Sequence, residues 1–323
     1  MENDQDVFAV VPSYNHGGFI EKCLRSIFRQ TVAPKKLLVI DDGSTDGSPE
    51  IIANALKDCP FDSELIVREN RGLCATLNQA YSLSEGKYFA YLGADDLWFP
   101  TFFEARIKLL ENRPEAILGY GHAYFIDEND AILDSSADFL PGKELYEAGN
   151  ARELVMNATA PISSTVFYRR SVLENVRWNE QSRLEDYEMY IKLLEYGDFA
   201  FDPQILSVWR YHSNNTSRDV EMMLSEVLET QNRRRKELNV GDAEFESMQE
   251  KTRFIYARVM LQHGDKAGAF RLARSARRGA SSTSELIKFY IRLAVPMAVV
   301  NLKRQLSKPE QNRELVLEEI TES

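Results

Sequence analysis

Residues 36–47 read KLLVIDDGSTDG, and residues 87–96 read KYFAYLGADD. Each is an apolar run of strand length that ends in two adjacent aspartates. Short continuous apolar runs fit strands covered on both faces, so Lys36–Ile40 and Lys87–Leu92 are predicted as buried parallel strands. Working outward, Val7–Val11 is a similar run closed by Pro12, followed by the loop Ser13-Tyr14-Asn15-His16-Gly17-Gly18. Phe19, Ile20, Cys23, Leu24, Ile27 and Phe28 recur at helical spacing, which predicts a helix to about Gln30. A second helix is expected over Pro49–Lys57, with Ser48 as N-cap and Pro49 at the first helical position. Glu64–Arg68 reads as a strand and Leu73–Leu83 as a helix. This alternation predicts an α/β fold built on an open, mostly parallel, doubly wound sheet flanked by helices. Such sheets bind ligands beyond the carboxyl ends of their strands. Ser13-Tyr14-Asn15, Asp41-Asp42 and Asp95-Asp96 all converge there.

From about residue 100 to 215 the pattern is mixed: helix Phe102–Glu111, strand Ile117–Ile126, helix Gly149–Met156, strand Ser164–Tyr168 and helix Glu185–Tyr196. Beyond Asp219 it is nearly all helical, with helices expected at Glu221–Leu238, Glu244–His263, Lys266–Arg278 and Ser284–Gln305. Two domains are therefore expected, 1–218 and a helical 219–323. The whole chain of 323 residues is 44% hydrophobic and 28% charged, which is globular, and its net charge of −11 argues against nucleic-acid binding. The charge is uneven: residues 251–304 carry twelve Lys/Arg against two acids, whereas residues 1–250 carry −18. Cys23, Cys59 and Cys74 lack metal spacing and read as reduced thiols. The acidic N-terminus runs straight into a strand, so no signal peptide is expected. The late apolar run Leu293–Val300, broken by Pro296, falls far short of the ~20 residues of a membrane span.

Asp is common in turns, and either acidic pair alone is explained that way. Acidic pairs on separate strands of one sheet repel one another and call for a cation, Mn²⁺ or Mg²⁺ with oxygen ligands. An acid in the first turn of a helix, as at Glu185-Asp186, is favoured by the helix dipole whatever its function.

Six segments in order, VVPSYN, VIDDGSTDGS, ENRGLCATLNQA, YLGADDLWFP, LEDYEMYIKLLEYG and WRYHSNNTS, resemble the family 2 glycosyltransferases of GT-A (Rossmann-like) fold over residues 7–217. The resemblance implies a metal-dependent enzyme moving a sugar from a nucleotide-diphosphate-sugar to an acceptor hydroxyl with inversion. It implies that Pro12 and Tyr14 lie along the base, and that Asp41 and Asp42 hold base and ribose. Asp95 and Asp96 correspond to the metal-binding motif, with Asp96 the direct ligand, and His212 reaches back to metal or phosphate. Asp186 corresponds to the catalytic base, with Glu185 beside it. Two departures stand out. Gly93 replaces a frequent acid, and Leu77 replaces a frequent Arg before Asn78, leaving Arg71 as the cation for the diphosphate. His16 reads either as a border of the donor site or as structural, whereas His122 reads as structural.

The expected acceptor is a glycan or lipid-linked glycan in bacterial surface-polysaccharide assembly, handled by a cytoplasmic enzyme. The basic helices of 251–304 suggest peripheral membrane contact, packing on the acidic catalytic domain, or a homodimer. The rivals are a nucleotidyltransferase, for which the first loop lacks a Gly-rich basic phosphate cradle, and a non-catalytic module that binds glycan or a partner.

Overall fold

The computed structural model describes residues 6–139, 143–213 and 215–295. Among these, the first unit takes in the residues up to Ala151 and Ala160–His212, and the second takes in Arg152–Thr159 and those from Ser213 to Val295. In chain order the elements begin β1 (Val7–Ser13), α1 (Ile20–Phe28), β2 (Lys36–Asp41), α2 (Ser48–Ala55), β3 (Ser63–Val67), α3 (Leu73–Leu83) and β4 (Tyr88–Tyr91). They continue β5 (Leu97–Trp98), α4 (Phe102–Glu111), β6 (Ala116–Ile126), β7 (Ile132–Ser135), α5 (Ser136–Phe139), α6 (Lys143–Glu147) and α7 (Ala151–Met156). Then come β8 (Phe167–Arg169), α8 (Asp186–Leu193), β9 (Asp198–Arg210), α9 (Val220–Arg233), α10 (Arg235–Leu238), α11 (Asp242–Gln262), α12 (Lys266–Ser275) and α13 (Thr283–Ala294).

The strands form one sheet in the order β3-β2-β1-β4-β8-β6-β9-β5, with β7 on β6. The half β3-β2-β1-β4 is wholly parallel, as expected. Beyond β4 the sheet is mixed: β8 is antiparallel to β4 and β6, β9 is parallel to β6, and β5 is antiparallel to β9. Every residue of β1 and β4 is buried, which is why their sequences are apolar throughout rather than alternating. The core packs α1, α2 and α4 against this sheet through Leu24, Ile27, Ile52, Phe102 and Phe103. Trp98 is fully buried, stacked on Phe102 at 4.5 Å, and its indole N–H donates to Ser164 O at 2.7 Å.

Four local expectations change. β1 continues through Pro12 to Ser13, because β4 stops pairing at Val10 and the missing N–H of Pro12 leaves no ladder bond broken on that side. Ser48 is the first residue of α2 rather than its cap; Gly47, at φ 85°, precedes it, and the Ser48 hydroxyl serves the neighbouring loop. The helix expected over Glu221–Leu238 divides at Arg234 into α9 and α10. The thirteen-residue strand β9 has no counterpart in the sequence reading. Asp202-Pro203-Gln204 breaks its alternation, and the ladder bulges there: Gly121 pairs with Asp202, but His122 pairs with Ile205.

In the second unit α11 and α12 form the expected hairpin. Gly264 turns at φ 91°, and the Asp265 side chain caps α12 by accepting the Gly268 N–H at 2.8 Å. The residues of the expected helix Ser284–Gln305 beyond Val295, including Pro296, lie outside the described residues. No helix among the described residues is long and apolar enough to cross a membrane.

Candidate active site

Two loops at the carboxyl ends of β1 and β2 hold each other. Asn15, in the left-handed region at φ 56°, donates its N–H to Ser44 Oγ at 2.8 Å and accepts the Thr45 N–H at 2.9 Å. The His16 N–H donates to Ser48 Oγ, and the Gly17 N–H to Asp46 Oδ2 at 2.8 Å. The run Gly43–Ser48 thus fixes the place of Tyr14, which is 47% exposed, and of His16. Gly43 is obligatory: it turns at φ 83°, and a Cβ there would meet Asn70 N at 2.9 Å.

Asp41 and Asp42, both buried, have protein partners. Asp41 accepts from Ser13 Oγ, Ser44 N and Ser44 Oγ at 2.7–3.1 Å. Asp42 accepts the N–H groups of Arg71 and Gly72 and pairs with Arg68 at 2.8 Å. Both acids therefore shape the loop walls, and Asp42 anchors the Arg71 backbone while the guanidinium of Arg71 stays exposed. Asn78 is turned elsewhere. Its amide nitrogen donates to Trp178 O and Glu180 and its oxygen accepts the Trp178 N–H, so it ties α3 to that segment. Leu77, where a cation was missed, is fully buried.

Asp95 and Asp96 diverge. Asp96 points inward, with Oδ1 accepting the Arg210 N–H at 2.9 Å. Burial, then the charge of Asp95, raise its carboxyl well above the ordinary range. Asp95 Oδ2 lies 2.9 Å from His212 Nε2. Burial pushes the Asp95 carboxyl upward, but the His212 hydrogen bond and the field of His16 outweigh it, so the group stays below its usual value and ionised. His16, Asp95 and His212 each place one ligand atom within 4.8 Å of the other two. His16 Nδ1 is buried without a hydrogen-bond partner, a costly state for a neutral polar atom and a suitable one for a metal ligand. His212 is held by stacking on Phe19 at 5.1 Å.

The structure thus groups Asp95, rather than Asp96, with His212. It also brings in His16, which on sequence was no more than a border residue. Gly93 leaves room for this arrangement, because a Cβ there would approach Asp95 Oδ1 to 2.9 Å. Arg210, unremarked within WRYH, holds the loop: Nε donates to Asp95 O at 2.8 Å, while one terminal nitrogen donates to Asp127 O and pairs with Asp130 at 2.6 Å.

Glu185 and Asp186 stand at the start of α8, partly accessible yet packed by protein on nearly every side. Tyr91 Oη donates to Glu185 Oε1 at 3.4 Å. Burial, then the charge of Asp186, push Glu185 up to about 8; burial also raises Asp186. The charge of Glu185 is felt at Asp96, which links the acid pair to the aspartate loop. His122 is structural, as expected: buried, it is bound to Ser136 Oγ at 2.9 Å and Glu147 at 3.0 Å.

Against solved structures, the backbone is similar to residues 1–349 of S. aureus TarS in complex with UDP, at TM-score 0.60 and 14% identity over 81% of this chain and 74% of that one. It is also similar to the mannosyltransferase PcManGT from Pyrobaculum calidifontis in complex with GDP-Man and Mn²⁺, at 0.60 and 15% over 97% and 84%. At such identities the likeness is one of fold, and that fold is GT-A. The profile of glycosyl transferase family 2 matches residues 8–177, and the chain belongs to that family. An uncharacterized glycosyltransferase from Nostoc sp. is 27% identical over 173 residues, covering 53% of this chain and 52% of its own length. One from Haemophilus influenzae is 26% identical over 228 residues, covering 67% and 69%. The chain thus spans about half the Nostoc relative, and 31% of one from Rickettsia bellii. Family membership sets the nucleotidyltransferase reading aside.

Proposed function

We propose that this glycosyltransferase transfers a sugar, with inversion, from a nucleotide-diphosphate-sugar to an acceptor hydroxyl, and that His16, Asp95 and His212 hold the divalent cation that the reaction needs. The observation that carries this reading is the three-residue cluster with its unpartnered buried Nδ1. Two imidazoles and one carboxylate favour Mn²⁺ over Mg²⁺, because Mg²⁺ prefers an all-oxygen shell. A cation bound there would offset the negative charge on the leaving diphosphate.

The chain's own residues supply the rest. Tyr14 offers an exposed ring for the base to lie on, beside Pro12, and Arg71 presents a cation near the mouth of the Asp42 loop. Asp41 and Asp42 act by fixing that loop. Asp186 takes the acceptor proton while the acceptor oxygen bonds to the anomeric carbon; the sugar–phosphate bond breaks, and its electron pair leaves with the diphosphate. A carboxyl raised by burial is a stronger base than a free one, and such a base contributes roughly 10²–10⁴-fold. Glu185 positions the acceptor. This work falls to residues 1–218, with the helices between Val220 and Ala294 a separate region. The acceptor is a glycan or lipid-linked glycan of the bacterial surface, met on the cytoplasmic side.

The test is a panel of UDP- and GDP-sugars assayed for donor hydrolysis and transfer with Mn²⁺, with Mg²⁺ and with EDTA. The reading expects turnover of at least one donor, abolished by EDTA and restored best by Mn²⁺. Undiminished turnover in EDTA removes the metal assignment. Donor binding without any turnover leaves the non-catalytic binding module.

A further inference from the structure

The second unit carries a surface that the chemistry of sugar transfer does not use. On α13, Ile287 and Ile291 stand one turn apart and are 54% and 62% exposed. Next to them along the helix lie the exposed Lys288 and Arg292. On α12, Phe270 is 43% exposed, and its ring meets Tyr290 of α13 edge-on at 6.3 Å, so the apolar patch runs across both helices. Arg274, one turn beyond Phe270, and its neighbour Arg271 are exposed beside the patch. A hollow of about 160 Å³ is lined by Leu261 and Phe289, by Arg258, Lys288 and Arg292, and by the acid Glu285.

Most of the positive charge here has no acidic partner among the described residues. Residues 251–295 carry ten Lys/Arg and two acids. Both acids are occupied: Asp265 caps α12, and Glu285 pairs with Arg258 at 2.6 Å. Arg271, Arg274, Arg277, Arg278 and Lys288 have no acidic partner among the described residues, whereas on α9 Arg233 is paired with Glu226. A face of exposed isoleucine and phenylalanine flanked by Lys288, Arg271 and Arg274 complements a surface that is anionic and has an apolar interior. A purely acidic protein surface would answer the charge but leave the isoleucines in water, and a second copy packed through the same face would bring cation against cation.

We propose that the α12–α13 face binds an anionic lipid bilayer, with Ile287, Ile291 and Phe270 entering the headgroup region and the flanking Lys and Arg meeting lipid phosphates. The contact is peripheral and independent of the catalytic reading. It would concentrate the enzyme where lipid-linked acceptors are found.

The test is sedimentation of the full chain with vesicles of phosphatidylcholine alone or with about a third phosphatidylglycerol, in low and in 0.5 M salt. The wild-type chain is expected to bind only the anionic vesicles and to be released by salt. Each Lys or Arg at an anionic surface is worth about five-fold in affinity, so Arg271→Glu/Arg274→Glu should weaken binding by at least about ten-fold. Ile287→Glu/Ile291→Glu should do the same while leaving the melting temperature and the gel-filtration radius unchanged, since neither side chain is packed in the interior. No binding to anionic vesicles at low salt, equal binding to neutral ones, or full binding by both double variants overturns the proposal. So does loss of a wild-type dimer in the isoleucine variant with vesicle binding intact.

Discussion

Glutamine at position 185 is expected to stabilise the protein in alkali and to leave it nearly unchanged in mild acid. Glu185 is held at about 8, against an ordinary 4.5, by burial and then by the adjoining charge of Asp186. Between those two values the folded chain keeps a proton that the unfolded chain has released, so stability falls as pH rises through that window. At about 1.4 kcal/mol per pH unit, ionising this carboxyl in the folded state at pH 9 costs roughly 5 kcal/mol. Below about pH 4 the acid is largely neutral in both states, and an amide of the same shape matches it. Local rearrangement will absorb part of the cost in the wild type. Even a fifth of it, about 1 kcal/mol, moves the melting temperature of a chain this size by about 2 °C. The assay is a thermal melt of both proteins from pH 5 to 9 in EDTA. The difference should be smallest at pH 5 and grow steadily in favour of the variant up to about pH 8. A difference that is constant with pH, or that favours the wild type at pH 9, refutes the argument that Glu185 is a buried charge.

Asp186→Asn keeps the start of α8 and removes only basicity, so transfer should fall at least about 10²-fold with donor affinity within two-fold, as single-turnover and binding measurements would show. Arg210→Met removes the bonds from the guanidinium to Asp95 O, Asp127 O and Asp130. It should cost at least about 2 kcal/mol in denaturant unfolding. Gly43→Ala meets both a positive φ and a backbone contact, and should cost about 1–3 kcal/mol in the same measurement.

The parallel half of the sheet was legible because β1, β2 and β4 are buried on both faces and the helices between them carry an apolar stripe. Leu73–Leu83 and Phe102–Glu111 fall where the periodicity puts them. β9 was hidden because Pro203 breaks its alternation, and the two-residue β5 is too short to show any period. In the site, sequence order pointed to the acidic pairs but could not say which way each carboxylate faces. Asp96 is drawn inward by the Arg210 N–H, a bond across 114 residues of chain that no local pattern encodes. The aim of His16 likewise depends on hydrogen bonds from Asn15 and Gly17 to a loop some thirty residues away. Asn78 illustrates the reverse: a polar residue within a matching motif whose amide serves the fold.

The central claim is that Asp95, with His16 and His212, holds the cation and that Asp96 does not. Titration of Mn²⁺, followed by its electron paramagnetic resonance signal with and without UDP or GDP, tests this directly on the wild type, Asp95→Asn and Asp96→Asn. The account predicts one bound ion in the wild type, affinity at least about ten-fold weaker in Asp95→Asn, and affinity within about three-fold of wild type in Asp96→Asn. Retained binding in Asp95→Asn together with lost binding in Asp96→Asn would contradict it.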